Sequence, residues 1–256
     1  MYVGSLVYAS QTLPYCKELP RSRLPHAYGS RDWRSASLLY WTILMNTKSS
    51  ARKHRRSSQQ PVQQIAHAVL PTRYGPFTIY GFKGNGPQEE AVALVRGNLN
   101  GRKAPLVRVH SQCLTGDVLT SLRCDCRAQL ELSLKKIAQS PSGILLYLAQ
   151  EGRGIGLMNK LRAYQLQDGG MDTVEANESL GFAADTREYE FPARILKKLG
   201  ARRIRLLSNN PDKVRQLESA GIQVVQLVPC QPRISRISRR YLKTKKHKMG
   251  HLLQGV

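Results

Sequence analysis

Cys113, Cys124 and Cys126 fall within fourteen residues of one another, in the pattern Cys-x10-Cys-x-Cys. Thiolates are soft donors that suit zinc, and three protein ligands leave a fourth position open for water or substrate, the arrangement of a catalytic zinc site. Zinc so held acidifies its water towards neutral pH and makes a nucleophile available. The same spacing also fits a structural zinc with a fourth ligand from elsewhere, such as His110 or His251, and it fits buried thiols that bind nothing. Spacing does not choose among the three. The chain has five cysteines, an odd number with three clustered, which is unlike a disulfide framework. Free or metal-bound thiols in a reducing compartment are expected, and Cys16 and Cys230, which stand alone, are read as incidental.

A second candidate is the loop Glu151-Gly152-Arg153-Gly154-Ile155-Gly156. Glycines let a backbone approach a ligand closely, and the N-terminus of a following helix attracts anions. The loop lacks the G-x-x-x-x-G-K-[ST] pattern of a P-loop, so taken alone it reads equally well as a plain turn.

Short apolar segments at residues 77–82, 91–95 and 106–109 have the pattern of strands. Helical and strand patterns alternate after them. Residues 128–138 place Leu130, Leu134 and Ile137 on one face, residues 144–148 form a buried strand, and residues 157–166 put Leu157, Leu161 and Tyr164 together. Pro192 is expected to open a helix that Gly200 closes, before a strand at 204–207. Asn210-Pro211 is an N-cap followed by proline at the first helical position, and Gly221 ends that helix ahead of a strand at 222–225. The fold class is therefore α/β, with no internal repeat.

The chain has 256 residues, 41 % of them hydrophobic, enough for one sizeable core. Its apolar run at residues 38–45 is far shorter than the roughly 20 residues of a bilayer span. A formal charge of +23 raises the prospect of a nucleic-acid partner, but its distribution argues otherwise. Residues 1–60 carry ten Lys/Arg against two acids, residues 61–229 carry twenty-two against fifteen, and residues 230–256 carry eight against none. The ends are basic, and the middle has the modest surplus of an enzyme with an anionic substrate. Residues 1–60 show no periodicity and read as a disordered basic extension. Their Arg/Ser-rich, acid-poor character permits an organelle transit peptide; a solvated tail, or a stretch translated ahead of a natural start at Met45, is favoured, with the protein in the cytoplasm.

Arg108-Val109-His110-Ser111-Gln112-Cys113-Leu114-Thr115-Gly116-Asp117 and Ser121-Leu122-Arg123-Cys124-Asp125-Cys126 resemble the zinc signature of GTP cyclohydrolase II. The similarity continues through Gln150-Glu151-Gly152-Arg153-Gly154-Ile155-Gly156-Leu157, Asp172-Thr173-Val174-Glu175-Ala176-Asn177, Leu180-Gly181-Phe182-Ala183-Ala184-Asp185, Asn209-Asn210-Pro211 and Lys248-Met249-Gly250-His251-Leu252-Leu253. It covers about residues 65–253.

The resemblance implies a mixed sheet with flanking helices in a catalytic domain over residues 61–229, with residues 230–256 as a basic C-terminal tail that belongs to the family pattern. It implies one zinc per subunit on Cys113, Cys124 and Cys126, Mg²⁺ on the triphosphate, and a homodimer. Contact with GTP is implied for Arg108, Val109, His110, Ser111, Gln112, Gln129, Glu151, Gly152, Arg153, Thr173, Ser208 and Lys213, with Glu151 suited to the guanine edge and Arg153 to phosphate. Catalytic roles are implied for Tyr164, for Asp185 as proton acceptor and for Arg187 as nucleophile at the α-phosphate. A guanidinium stays protonated, so charge stabilisation suits Arg187 better than attack on phosphorus. Plainer readings stand beside these: Tyr164 packing beside Leu161, and Asp185 with Arg187 as a surface ion pair.

The implied reaction opens the guanine ring of GTP, releasing formate and pyrophosphate and leaving a diaminopyrimidinone ribosylamine phosphate, the first step of riboflavin synthesis. One alternative is a paralogue that stops at the formamide or serves a specialised pathway. Another is a zinc-stabilised nucleic-acid-binding protein, which the location of the charge and the lack of a stacking pattern disfavour. Three positions depart from the family: Gln112 replaces a usual glutamate, Ser208 a threonine and Arg127 a glycine. Many relatives carry a dihydroxybutanone phosphate synthase domain in front; sixty irregular residues cannot supply one, so a monofunctional chain is expected.

Overall fold

A computed structural model describes residues 61–256; the expected N-terminal extension, with Cys16 and Met45, lies outside the described residues. Among these, seven strands occur: β1 Gln63–Thr72, β2 Gly75–Lys83, β3 Glu90–Arg96, β4 Leu106–Ser111, β5 Gly143–Leu148, β6 Arg203–Leu207 and β7 Gln223–Val228. The α-helices are α1 Cys126–Ala138, α2 Leu157–Asp168, α3 Thr173–Ser179, α4 Glu190–Lys198, α5 Pro211–Ser219 and α6 Arg239–Met249.

The strands form one sheet in the order β1-β2-β3-β5-β4-β6-β7. Its first half, β1 to β3 with β5, is antiparallel, and β5, β4, β6 and β7 run parallel. Parallel neighbours need crossovers, and α1 between β4 and β5 and α5 between β6 and β7 supply them. The expected mixed α/β sheet with flanking helices is what forms.

β5 is covered on both faces, which is why it reads as an unbroken apolar run. On one face Val107, Val109, Ile144 and Leu146 pack with Phe191, Ile195 and Leu196 of α4 and Leu217 of α5. On the other, Leu106 and Leu145 pack against Leu130, Leu134 and Ile137 of α1. Each fully buried Leu or Ile stabilises by about 1.5–3 kcal/mol, so the sheet is a firm platform for what its strand ends carry. Both α4 and α5 end on a glycine with positive φ, Gly200 at 80° and Gly221 at 78°, and in each case two backbone bonds fold the chain into the next strand.

Three details differ from the pattern in the sequence. Pro192 does not open α4 but sits in its first turn, after Glu190 and Phe191, where no backbone donor is needed. The apolar face expected on α2 is turned outward at Leu161, 45 % exposed, while Lys160 and Ala163 are buried; that side of the helix meets a thiol and a carboxylate, which require a cation. The basic stretch after residue 230 includes the helix α6, with Leu242 and Lys245 buried. Among the described residues no helix is long and apolar enough to cross a membrane.

Candidate active site

Side chains alternate along a strand, so Arg108 and His110 lie on the face of β4 opposite Val107 and Val109. The parallel strands β4, β5 and β6 run out together into Gln112-Cys113, Gln150-Glu151 and Ser208-Asn209, the end of a parallel sheet where ligands characteristically bind. A cavity opens there, and all three cysteines line it.

Beyond β4 the chain makes a tight π-helical turn, Leu114–Val118, organised by the buried Asp117. Its Oδ2 accepts the Cys113 backbone N–H at 3.0 Å and the Tyr147 hydroxyl at 2.9 Å, and it faces His110 Nε2 at 3.1 Å. Burial, with Arg108 and Lys213 nearby, lowers the His110 pKa against the pull of Asp117, so the ring is neutral. Cys124 and Cys126 come from the turn that opens α1, and the three sulfurs lie within 4.8 Å of one another. A Cβ on Gly116 would stand 2.8 Å from Cys124 Sγ and 3.1 Å from Cys113 Sγ, so glycine is what leaves the space between the sulfurs clear.

Three adjacent thiols cannot all ionise without a counter-charge. Hydrogen bonds from Cys124 and Cys126, helped by Lys160, hold the Cys113 thiol far below its ordinary range, and that thiolate pushes Cys124 up to about 11. A divalent soft-acid cation displacing the remaining protons suits this donor set and this clearance. Among the described residues no histidine or carboxylate joins the group. His110 is instead bonded to Asp117, and neither it nor His251 falls within that cluster.

From α2, the buried Lys160 Nζ donates to Cys113 Sγ at 3.1 Å and to Glu151 Oε1 at 2.7 Å. Burial works against its charge, but Glu151 and Cys113 outweigh burial and raise its pKa. Both oxygens of Glu151 are engaged, Oε2 by the Leu114 N–H at 2.6 Å and Oε1 also by the Gly152 N–H at 2.9 Å. One turn after Lys160, Tyr164 is more than a packing residue: its hydroxyl lies 3.0 Å from Thr115 Oγ1, and the Arg123 guanidinium carbon is 4.8 Å from its ring centre. Burial raises the Tyr164 pKa, which keeps its proton in place.

Cations gather elsewhere along the cavity wall. Arg187 makes a two-pronged pair with Asp185, Nε to Oδ1 at 2.8 Å and Nη2 to Oδ2 at 2.5 Å, and both side chains are largely buried. Burial would raise Asp185, yet Arg187 holds its carboxyl below the usual range. Lys213 donates to the Val109 carbonyl at 2.7 Å, and burial with Arg108 and Arg187 beside it pushes its ammonium well below the usual lysine range. Arg153 has the left-handed φ of 63°, its carbonyl is clamped by Thr186 Oγ1 at 2.7 Å, and its buried Nη2 has no partner.

A chain of polar contacts ties the two groups together. Arg108 donates to the Leu207 carbonyl at 3.1 Å and to Gln129 Oε1 at 2.5 Å; Gln129 Nε2 donates to Asp125 Oδ2 at 2.5 Å; Asp125 Oδ1 receives Lys245 Nζ of α6 at 2.9 Å. Burial would raise Asp125, but Lys245 and Gln129 hold it below its ordinary range.

Of the residues singled out in the sequence, the cavity gathers Cys113, Cys124, Cys126, Arg108, His110, Ser111, Gln112, Gln129, Glu151, Gly152, Arg153, Tyr164, Thr173, Arg187, Ser208 and Lys213. Val109 has its side chain in the core and offers only its carbonyl, and Asp185 stands behind Arg187. Arg127 does not line the cavity; it bonds Glu131 at 3.0 Å and the Asp117 carbonyl at 3.1 Å. Lys160, Tyr241 and Lys245 also line the cavity and had not been singled out for it, and His251, named only as a possible fourth zinc ligand and as part of the family motif, lines it too. The i, i+4 spacing of Lys160 and Tyr164 was the available signal for the first.

The sequence profile of GTP cyclohydrolase II matches residues 63–229. A GTP cyclohydrolase-2 from Shewanella amazonensis is 50 % identical over 192 residues, 75 % of this chain and 94 % of that protein. Another from Azotobacter vinelandii is 53 % identical over 189 residues, 74 % of this chain and 91 % of that protein. A riboflavin biosynthesis protein from Vibrio vulnificus is 50 % identical over 210 residues, 82 % of this chain, and the chain spans 57 % of that relative's length.

Proposed function

The chain belongs to the GTP cyclohydrolase II family, and from that membership we propose that it is a zinc enzyme of riboflavin biosynthesis that hydrolyses GTP to formate, pyrophosphate and a diaminopyrimidinone ribosylamine phosphate. The observation that carries the reading is one cavity lined both by three clustered sulfurs and by the basic side chains of the largely buried Arg187 and the buried Lys213. Ring opening needs an activated water and loss of pyrophosphate needs positive charge, and this cavity offers groups suited to each.

Cys113, Cys124 and Cys126 would hold zinc, which when bound supplies acidified, oriented water for the carbon that leaves as formate. Lys160 balances the Cys113 sulfur and fixes Glu151, which in turn holds the turn at Leu114. Tyr164, still protonated and placed by Thr115, is suited to deliver a proton to the opening ring. Arg187 keeps its charge, so it neutralises phosphoryl oxygens rather than attacking phosphorus, with Asp185 positioning it. A phosphate entering beside Lys213 supplies the counter-charge that burial denies it, with Mg²⁺ accompanying the triphosphate. Exposed apolar residues Val118, Leu119 and Leu122, 61 %, 64 % and 59 % accessible, support a homodimer.

The test is incubation of zinc-loaded protein with GTP and Mg²⁺, with formate, pyrophosphate and the pyrimidine followed by mass. Formate and pyrophosphate together are expected. Gln112, a neutral amide in the cavity wall where the family has a carboxylate, is where a change of product would originate. Pyrophosphate with the formyl carbon retained would replace this reading with a formamide-forming enzyme, and no turnover of GTP would sink both.

A further inference from the structure

The matched family profile ends at residue 229, and the cavity continues past it into the 248–253 stretch that shares the family motif. Its wall is completed by Tyr241, Lys245 and Met249 of α6 and by His251 just beyond it. Gly250, with φ of 63°, ends the helix and turns the chain. The His251 N–H then bonds the Lys245 carbonyl at 3.1 Å, the Leu252 N–H bonds the Asn209 carbonyl at 2.8 Å, and Leu253 is 6 % exposed. Main chain on both sides of His251 is thus fastened, one side to α6 and the other to the loop between β6 and α5. The ring is held where it is by the backbone, not by a partner for its own nitrogen.

That nitrogen is the unusual feature. His251 Nε2 is buried without a hydrogen-bond partner, and so is Nη2 of Arg153, another cavity residue. Leaving such groups unpaired costs stability, and the cost persists until something enters to accept from them. The groups whose charge bears on the ring are Lys245, Arg187, Arg153 and Lys213, all basic side chains of the cavity. Together with burial they push the imidazole down to about 3, so the ring is neutral, and a neutral ring can donate one hydrogen bond without adding to the crowding of positive charge. Lys245 and Arg187 already share carboxylates with the protein; Arg153 Nη2 has a proton to donate and no acceptor, and so has His251 Nε2 when the neutral ring carries its proton there. An oxygen-rich dianion or polyanion fits that demand, whereas a cation or an apolar group does not.

We propose that His251 is a substrate-binding residue, donating from Nε2 to a phosphate oxygen of the nucleotide's polyphosphate. This rests on the cyclohydrolase reading for the identity of the polyphosphate, but the chemistry can be read without turnover. Full-length, zinc-loaded protein would be titrated with inorganic pyrophosphate plus Mg²⁺ and, separately, with guanosine, for the unaltered chain, His251→Asn and His251→Gln. Zinc content, thermal midpoint and steady-state kinetics with GTP would be recorded alongside.

The glutamine amide nitrogen reaches about as far as Nε2 and the asparagine nitrogen does not. His251→Asn is therefore expected to weaken pyrophosphate binding roughly 10- to 100-fold and to raise KM for GTP comparably, with kcat, guanosine affinity and zinc content little changed. His251→Gln should recover a large part of that loss. Pyrophosphate affinity within twofold of the unaltered chain in both variants would overturn the proposal. So would equal loss in both with a lowered thermal midpoint, which would make His251 structural, or a drop in zinc content, which would place it at the metal. Failure of the unaltered protein to turn over GTP would count against the cyclohydrolase reading alone, because pyrophosphate binding would still report on His251.

Discussion

At the thiol end of the cavity, Asp117 and Glu151 have every carboxylate oxygen bonded within the protein, and Lys160 is matched to a sulfur and a carboxylate. At the cation end, Arg108 Nε, Arg153 Nη2 and His251 Nε2 have no partner among the described residues, and Lys213 is buried among like charges. The first region is balanced so that its geometry stands ready for one small ion. The second is left short of negative charge, and each unpaired buried donor costs about 1–3 kcal/mol that a bound anion restores. The metal and the nucleotide proposed for this cavity would thus meet opposite local electrostatics on its neighbouring walls.

Substitutions can break that contrast, and the largest effect is expected at the balanced end. Cys126→Ser removes one of three soft donors, and both zinc content and formate release should collapse, the latter on the order of 10³-fold or more. Full zinc occupancy with activity retained would show that two sulfurs suffice. At the unbalanced end, Arg187→Lys keeps the charge but loses the planar fork that Asp185 grips, and kcat should fall about 10²–10³-fold with zinc content unchanged. Near-normal turnover in that variant would remove Arg187 from the chemistry.

The smallest effect is on stability against pH. Asp185 is depressed below its ordinary 3.8 because Arg187 outweighs its burial. A folded value below the unfolded one means that the contribution of this pair is complete above about pH 4 and is lost as pH falls through the folded value. Urea midpoints measured from pH 7 to pH 3 should fall below about pH 4, less steeply in Asp185→Asn. Identical slopes in the two proteins would show that this pair adds nothing to the fold.

What could be read in advance divides along the same line. The apolar run of β5, the Asn210-Pro211 start of α5 and the cysteine spacing are local signals, each carried by a few neighbouring residues, and the structure reproduces all three. For Lys160 the one local signal, its i, i+4 spacing to Tyr164, was weak, since a lysine on a helix ordinarily faces water and its reason for burial, Cys113, lies 47 residues away in sequence. Lys245 was hidden by its surroundings, a stretch so rich in Lys and Arg that it reads as a solvated tail, and His251 stood out there only as a possible zinc ligand and as part of the family motif. Their acid partner and backbone anchor, Asp125 and Asn209, are on other elements. The family signature did point to Val109, but only its carbonyl oxygen faces another site residue.

The 125 residues that separate Cys126 from His251 also impose an order in time. At about 5–20 residues per second, a ribosome makes the last of the three thiols roughly 6–25 s before it makes the histidine. Throughout that interval the nascent chain carries clustered sulfurs with no α6 to cover them, so they stay open to oxidants, and to the metal proposed for them, until the enclosure is complete.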